Sequence, residues 1–570
     1  MKDEIIEHIN KALLSFGLEN QDFVIEHPGD ISNGDYSSSV ALSVSKKIGK
    51  NPKELAGEIV SELEKGVIEG VEKIEVAGPG FINFYLDRDF FAQSIKDISE
   101  NLGFGKTSIL KNKKVIVEYT DPNPFKEFHI GHLMSNTIGE SISRIYEYNG
   151  ADIKRACYQG DVGLHVAKAI LGMMEVGNLP EENEGIDVWA KYLGQCYAKG
   201  ANLFEQGDEY KEKVKDINKK VYEKNDEEIN RLYQIGRKKS LEYFEEIYKR
   251  LGTKFDYYFF ESESGEFGKK IVLDGQEKGV FEKGEDGAVV FHGEKYDEKL
   301  HTRVFINSQG LPTYEAKELG LSKIKYEKFQ YDESVIITGN EINEYFRVLI
   351  SAMGQVFPDL AQKTIHLSHG MLRLPTGKMS SRTGDVITGE SLLSFIGEKI
   401  EEKIKETEKN IDDIDTLVND ISVSALKYSV LKQGIGKDII FDFEKSLSFD
   451  GDSGPYLSYT HARINSLLQK AKEEGIDMTN INIPEEAFEI EKFLYRFPEI
   501  IESAYKEKSP HVVSVYLVEV ARLFNSFYGG NQIVSKDDKY SPYKILVARS
   551  VLNILKNGLY VLGIKAPEKM

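Results

Sequence analysis

Cysteine is nearly absent from this 570-residue chain, with Cys157 and Cys196 the only two. They stand far apart and form no Cys-x-x-Cys pair. That argues against a disulfide framework and a structural zinc site, and it suits a reducing cytosol. Long apolar runs are also missing: no segment reaches the roughly 20 residues of a membrane helix, so no membrane partner is expected. The opening Met1-Lys2-Asp3-Glu4 turns acidic at once, unlike a signal peptide or a basic transit peptide. Positive charge is in deficit. Lys and Arg number 73 against 93 Asp and Glu, a net charge of −20, which excludes broad, unselective affinity for nucleic acid. Internal repeats and low-complexity tracts are lacking too, and the composition is that of a soluble globular chain.

What is present points to about three or four domains. Ile5, Ile6, Ile9, Leu13 and Leu14 recur at helical spacing. A second helix is predicted from Pro52 to Leu63, with Pro52 suited to its first turn. Gly78-Pro79-Gly80 breaks the chain before Phe81–Leu86, whose alternation predicts a strand. From about 109 the pattern becomes strand, helix, strand, with Val115–Val117 and Asp152–Tyr158 as strands; this predicts a parallel α/β sheet with ligand at the carboxyl ends of its strands. Residues near 187–250 read as a helical insertion. The sheet is expected to resume with Arg303–Ile306, Ser334–Ile337 and Thr364–Leu367, and after about 390 the chain reads as mostly helical. The expected division is 1–108, 109–390, a connector over 391–445, and 446–570.

Two motifs carry the chemistry. His129-Ile130-Gly131-His132 sits between an apolar strand and an apolar-periodic helix, and a helix start offers backbone N–H groups to a phosphate. Both imidazoles, three apart, face one side. That spacing with no third ligand nearby is a poor zinc site. Gly131 has no side chain, so an adenine ring can lie against its backbone. Lys378-Met379-Ser380-Ser381-Arg382, in a loop by composition, adds an ammonium and two hydroxyls. Together the motifs supply donors for the phosphates of ATP, and the chemistry they name is adenylation of a carboxylate.

Both motifs resemble the signatures of class I aminoacyl-tRNA synthetases, and their flanks are similar to the arginyl-tRNA synthetases. Glu118-Tyr119-Thr120-Asp121-Pro122-Asn123, Leu311-Pro312-Thr313-Tyr314, His369-Gly370-Met371-Leu372-Arg373-Leu374, Ser424-Ala425-Leu426-Lys427-Tyr428, Gly454-Pro455-Tyr456-Leu457, Phe524-Asn525-Ser526-Phe527-Tyr528 and Leu562–Met570 match in the family's order over nearly the whole chain. The resemblance implies a Rossmann-like α/β catalytic core, a small N-terminal α/β domain that contacts tRNA, and an all-α C-terminal anticodon-binding domain. It implies a cytoplasmic, monomeric arginine–tRNA ligase. Such an enzyme uses ATP with Mg²⁺ to make arginyl-adenylate, then transfers the arginyl group to the terminal adenosine of tRNA(Arg), with no zinc. Acidic surface elsewhere suppresses unselective binding, while Lys111-Asn112-Lys113-Lys114 and Arg237-Lys238-Lys239 are candidate basic patches.

By the same resemblance, His129, His132, Lys378 and Lys126 are catalytic. Gly131, Glu341, Met371, Ser380, Ser381 and Arg382 join them around ATP. Ser381 stands where most class I enzymes carry a second lysine, and either Lys126 or Arg382 compensates. Glu118, Asn123, Tyr314 and Glu318 are implied at the arginine, Asn123 at its α-amino group; a guanidinium needs carboxylates with planar two-oxygen geometry. Glu318 replaces the usual aspartate and moves the carboxylate by about 1.5 Å. Tyr314 and Glu318 at i and i+4 share one helix face. Gly160-Asp161-Val162-Gly163 resembles a family loop or is simply a turn, and His165, where Gln is common, receives no role. For tRNA, Phe81 and Asn83 are implied at the elbow. Tyr456, Tyr459, Arg463, Asn525 and Tyr528 are implied at the anticodon, with His461 and Phe527 as neighbours; packing competes as the role of each. A class I ligase for another amino acid and a non-catalytic tRNA-binding paralogue are the alternatives.

Overall fold

The computed structural model describes residues 1–374, 388–405 and 413–570. They fall into two compact units, one of residues 1–104, 464–497 and 520–554, the other of 105–463, 498–519 and 555–570.

The first unit is built on an antiparallel sheet of β1 (Ile25–Glu26), β2 (Tyr36–Ser38), β3 (Val71–Ala77) and β4 (Phe81–Leu86) in the order β1-β2-β4-β3. Around it lie α1 (Lys2–Leu14), α2 (Val40–Ile48), α3 (Pro52–Leu63) and α4 (Arg88–Glu100). Helix α3 and strand β4 occupy the residues their patterns predict. Proline at the start of α3 needs no N–H there, and the Asn51 side chain caps it by accepting the Lys53 N–H at 2.9 Å. Ile5, Ile9, Leu55, Ile59, Ile82 and Phe84 are fully buried together. Helical residues far along the chain join this unit: Arg88 pairs with Glu491 at 2.9 Å, and Ser550 and Asn553 donate to the Ile95 and Ile98 carbonyls at 2.9 Å each.

In the second unit the strands are β5 (Lys114–Glu118), β6 (Asp152–Gln159), β7 (Tyr257–Phe260), β8 (Glu282–Lys283), β9 (Val289–His292), β10 (Thr302–Ile306), β11 (Glu333–Gly339), β12 (Thr364–His369), β13 (Leu372–Arg373) and β14 (Ile439–Ile440). Five of them form an all-parallel sheet in the order β12-β11-β5-β6-β7. Its helices are α5 (Ile130–Tyr148), α6 (Leu164–Val176), α7 (Ile186–Gln206), α8 (Asp208–Glu223), α9 (Glu227–Leu251), α10 (Glu261–Glu277), α11 (Tyr314–Lys328), α12 (Asn343–Val356) and α13 (Pro358–Lys363). This is the Rossmann-like core. The strand order reverses between β5 and β11, so the crevice at their carboxyl ends is the place for a ligand.

One strand lies elsewhere than its sequence suggests. Residues 303–306 do not extend the parallel sheet; β10 pairs antiparallel with β9, and β9 with β8. The connections β8–β9 and β9–β10 are short, and short connections suit antiparallel neighbours, whereas a parallel pair needs a crossover of a dozen residues or more. The fifth strand of the parallel sheet is β7, whose signal is the aromatic run Tyr257-Tyr258-Phe259-Phe260.

The loop from β5 to α5 is held in an unusual shape. Thr120, Asp121 and Phe125 have φ of 82°, 46° and 68°, a region that L-residues, and β-branched threonine above all, adopt at a cost. Hydrogen bonds overdetermine it. Thr120 N–H donates to Ser135 Oγ at 3.0 Å, Ser135 Oγ donates to the Ile337 carbonyl at 2.9 Å, and Phe125 N–H donates to Ser240 Oγ at 2.8 Å. Ser135 thereby ties α5 to both strands of the crevice.

Lys427 illustrates how helix ends are satisfied in this unit. It is fully buried and donates to the carbonyls of Leu251 and Gly563 at 2.7 and 2.8 Å, at the ends of α9 and of helix Ser541–Val561. Burial, with a smaller push from Arg144 and an opposing pull from Glu140, brings its pKa down from 10.5 to about 7. Between about 7 and 10.5 the unfolded chain therefore holds more protons than the folded one, so stability rises with pH across that window by up to about 1.4 kcal/mol per unit. Below pH 7 the cost of the buried charge is present in full. Urea midpoints measured from pH 7 to 9 are expected to climb, and Lys427→Met is expected to flatten that slope; an identical slope in the variant would rule Lys427 out as its source.

Candidate active site

His129 is the N-cap of α5, and its ring folds back over the first turn. Its Nδ1 accepts the Gly131 N–H at 3.1 Å, and the His129 N–H donates to His132 Nδ1 at 3.3 Å, closing a reciprocal cap. The helix start is therefore not a row of free phosphate donors, as its sequence suggests. The Gly131 N–H serves the imidazole and the His132 N–H bonds to the His129 carbonyl at 3.1 Å. The two imidazoles stack on each other with ring centroids 3.6 Å apart, His129 partly buried and His132 7 % exposed. A Cβ at Gly131 would sit 3.0 Å from the His129 ring, so glycine leaves the ring room to fold back.

The electrostatics settle the protonation of the pair. Burial, His129 and the Lys126 ammonium hold His132 well below the usual histidine range; burial and Lys126 also lower His129, with Glu341 pulling the other way. Both rings are neutral at pH 7. With each Nδ1 accepting a backbone N–H, the proton of each ring is on Nε2, which makes two neutral N–H donors side by side.

A set of carboxylates comes from the end of β5 and the loop after it, from α10 and from α11. Glu118, at the end of β5 and 1 % exposed, accepts from Lys325 Nζ at 2.7 Å. Glu261 accepts from Lys317 Nζ at 2.6 Å, and both side chains are buried. Two more carboxyls, Asp121 and Glu318, have no ion-pair partner among the described residues. Burial first and Glu118 second push both well above the usual carboxylate range; Lys325 offsets part of the effect. Burial works against Lys325 as well, but Glu118 keeps its pKa above the ordinary lysine value. Asn123 Oδ1 packs against Gly160 so closely that a Cβ there would come within 2.2 Å. Tyr314 and Glu318 share α11, Tyr314 at its exposed first turn and Glu318 partly buried. Sequence reasoning missed Asp121, Lys325 and Glu261. Asp121 stands inside the matched Glu118–Asn123 segment; Lys325 and Glu261 carry no motif signal.

Other expected residues are placed as follows. The Lys126 ammonium lies 5.1 Å from the Tyr197 ring centre and close enough to lower His129, His132 and His165. Glu341 follows β11 and folds back over Gly339, and its charge reaches His129 and His369. Met371 is exposed, its N–H donating to Asp438 Oδ1 at 2.9 Å. Lys378, Ser380, Ser381 and Arg382 lie outside the described residues. Beyond that segment, Thr388 bridges to His129, and the Gly389 N–H donates to the Phe128 carbonyl at 2.7 Å.

Asp161 is a fully buried hub. It accepts from Tyr233 Oη at 3.0 Å, Arg237 Nε at 2.8 Å, and Ser262 N–H and Oγ at 2.9 and 2.8 Å. His165 Nε2 meets the Gly160 carbonyl at 2.7 Å and steadies that loop. Arg237, at least, thus serves the interior as well as the surface. Asn83 lies inside the first unit's sheet, 3 % exposed, with Oδ1 accepting from Ser37 Oγ at 2.7 Å, while Phe81 is only partly buried. Arg463 stacks on Tyr459 at 4.8 Å and donates to its Oη at 3.2 Å. Tyr456 and Asn525 are partly buried and Tyr528 is 42 % exposed. His461 and Phe527 are buried packing residues, with His461 Nδ1 against the Pro567 carbonyl at 2.9 Å.

Comparison with known proteins matches three family models along the chain. They are "tRNA synthetases class I (R), catalytic domain" over residues 95–443, "DALR anticodon binding domain" over 457–570 and "Arginyl tRNA synthetase N terminal domain" over 1–86. The arginine–tRNA ligase of Borrelia turicatae is 32% identical over 502 residues, covering 86% of each chain. That of Borrelia hermsii is 30% identical over 584 residues, covering 100% of this chain and 99% of its own. Among solved structures, the arginyl-tRNA synthetase of Thermus thermophilus shares the fold with a TM-score of 0.81 at 21% identity, over 99% of both chains.

Proposed function

The chain belongs to the class I arginyl-tRNA synthetases, and from that premise we propose how its own residues carry the reaction. It is an arginine–tRNA ligase that uses ATP. In our reading, arginine becomes the adenylate and the arginyl group then passes to the 3′-terminal adenosine of tRNA(Arg), with pyrophosphate and AMP released. The observation that carries the assignment of residues is the pair of neutral, stacked imidazoles at the start of α5, in the same unit as a group of carboxylates that outnumber their lysines.

In the first step the arginine carboxylate attacks the α-phosphorus in line, and charge builds on the phosphoryl oxygens and the leaving pyrophosphate. Positioned donors therefore matter more than a nucleophilic side chain. The Nε2–H groups of His129 and His132 donate to the α-phosphate, and neutral rings do so without holding the product by charge. The adenine lies over Gly131, Glu341 accepts from the ribose hydroxyls, and Met371 borders the base. Lys126 adds a cation beside the imidazoles. Lys378, Ser380, Ser381 and Arg382 attend the β- and γ-phosphates of the Mg·ATP substrate. Glu118, Asn123, Tyr314 and Glu318 form the arginine site, Asn123 taking the α-amino group.

The tRNA is read outside this core. We place its elbow on residues 1–108 with Phe81 at the surface and Asn83 bracing it from within the sheet, and its anticodon on residues 446–570 through Tyr456, Tyr459, Arg463, Asn525 and Tyr528. A catalytic domain over 109–390, a connector over 391–445, a monomeric state and a cytoplasmic location complete the proposal. Among the described residues no helix is long and apolar enough to cross a membrane.

The test is ATP–pyrophosphate exchange with each of the twenty amino acids, with and without tRNA(Arg). Exchange with arginine alone among the twenty is the expected result. Exchange with a different amino acid would keep the adenylation chemistry and overturn the pocket. Folded protein that binds tRNA but never exchanges would be a non-catalytic paralogue.

A further inference from the structure

A cavity of about 750 Å³ in the second unit has no part in the assignments above. It lies between the end of α9, the start of the helix Ile414–Leu431 and residues 556–566. Arg144 on its wall belongs to α5 and stands roughly 22 Å along that helix from His129, so the cavity is separate from the histidine pair.

Five cations line it: Arg144, Lys249, Arg250, Lys556 and Lys565. The carboxylates on its wall are Asp415 and Asp420. Two of the cations are matched, Arg144 by Glu140 at 2.7 Å and Lys565 by Asp420 at 2.6 Å. Lys249 reaches Glu246 only at 4.0 Å, with both side chains exposed. Arg250 and Lys556 have no ion-pair partner among the described residues. Three weakly matched or unmatched cations thus face Asp415 alone, in a chain whose net charge is −20. Low-dielectric walls concentrate such a field and draw anions into it.

Cations also gather at helix carboxyl ends, and that accounts for part of this set. Arg144 donates to the Tyr560 and Gly252 carbonyls at 2.8 and 3.2 Å, and Lys427 takes those of Leu251 and Gly563, both on the wall. Arg250 serves no carbonyl. Its Nε donates to Asn419 Oδ1 at 2.8 Å, and its Nη groups have no hydrogen-bond partner among the described residues. The side chain is half-buried, and burial holds its pKa below the ordinary arginine value, against a weaker pull from Glu390. A guanidinium in that state has lost water and gained no counter-charge. Its planar fork of N–H donors fits two oxygens of one phosphate.

We propose that this cavity binds a phosphate-bearing ligand, held by the Arg250 guanidinium, with Lys249 and Lys556 supplying further charge. The phosphate belongs either to a free polyphosphate anion or to the backbone of a bound RNA. The site is independent of the arginine pocket and lies outside the reaction proposed above.

Arg250→Gln and Lys556→Gln test it. Glutamine at 250 keeps an N–H for Asn419, and Lys556 is exposed, so its replacement leaves the fold intact. Wild type and both variants are titrated with inorganic tripolyphosphate by calorimetry, and with tRNA(Arg) over a range of salt. A free anion as occupant gives a wild-type polyphosphate site whose Kd rises roughly 10-fold or more in both variants, at unchanged KM for ATP and arginine. An RNA backbone as occupant leaves polyphosphate binding unchanged, weakens tRNA binding, and lowers the slope of log Kd against log salt by about one in each variant. The urea midpoint of Arg250→Gln in phosphate-free buffer should equal or exceed that of wild type, because a half-buried charge without a partner is removed. Polyphosphate and tRNA binding both equal to wild type in the two variants would overturn the inference; a lowered midpoint beside them would make Arg250 a structural cation at the end of α9.

Discussion

His129→Ala is expected to lower arginine-dependent ATP–pyrophosphate exchange by roughly 10²–10³-fold, the usual loss when one donor to a developing oxyanion is removed. The side chain has two tasks here. Its Nδ1 caps α5 through the Gly131 N–H, and in the proposed mechanism its Nε2–H donates to the α-phosphate. Loss of the cap alone costs about 1 kcal/mol of stability and reduces catalysis only by loosening the first turn. The two tasks separate in His129→Asn, whose amide oxygen can cap but whose shorter side chain does not reach the phosphate. Exchange should fall nearly as far in the asparagine variant as in the alanine one, while its unfolding midpoint stays close to wild type. Binding of tRNA should survive both changes, since the RNA surfaces are assigned elsewhere. Full activity in His129→Ala would remove the residue from the mechanism.

The second large effect concerns stability. Lys325→Met is expected to destabilise the protein by about 3–5 kcal/mol, because it leaves the Glu118 charge buried without its partner. Both side chains are only 2% exposed and meet at 2.7 Å, so water cannot take over the lost contact. Combining it with Glu118→Leu should recover most of the loss, since a buried ion pair replaced by apolar groups of similar size is close to neutral. Denaturant unfolding of the two single variants and the double variant measures this directly. If Lys325→Met alone unfolds at the wild-type midpoint, Glu118 has another counter-charge and the pocket has been misread.

Much of the architecture was legible along the chain. Helix α3 and strand β4 announce themselves through a proline at N1 and through an apolar run after Gly78-Pro79-Gly80. The motif around His129 falls at a strand–helix junction, and a junction of that kind lies in the crevice of a parallel sheet. Residues 303–306 form a strand, as their composition suggests, but in another sheet: β-propensity identifies a strand and leaves its neighbour open. The site divides in the same way. Glu118, Asn123, the two histidines and Glu341 could be proposed from the sequence because they stand in or beside recognisable motifs. Lys325 and Glu261 were not, since a lysine and a glutamate on helices look like any solvated residues until the fold buries them. Asp161, which resembles a turn residue, proves to anchor α9 and α10.

By itself, the amino-acid sequence determined the family, the reaction class and the strand–helix–strand start of the catalytic core, and it pointed to the short segments proposed to carry the chemistry. These depend on local backbone preference and on side chains that act within a few residues of one another. Only the tertiary structure decided the charge balance of the pocket and the protonation of the imidazoles. It alone joined residues 464–497 and 520–554 to the N-terminal sheet in one unit. The physical reason is distance along the chain. Glu118 and Lys325 are 207 residues apart, and their pairing exists only because β5 lies beside β11 with α11 packed nearby. Burial then turns an ordinary ion pair into the feature that sets the ionisation of its neighbours.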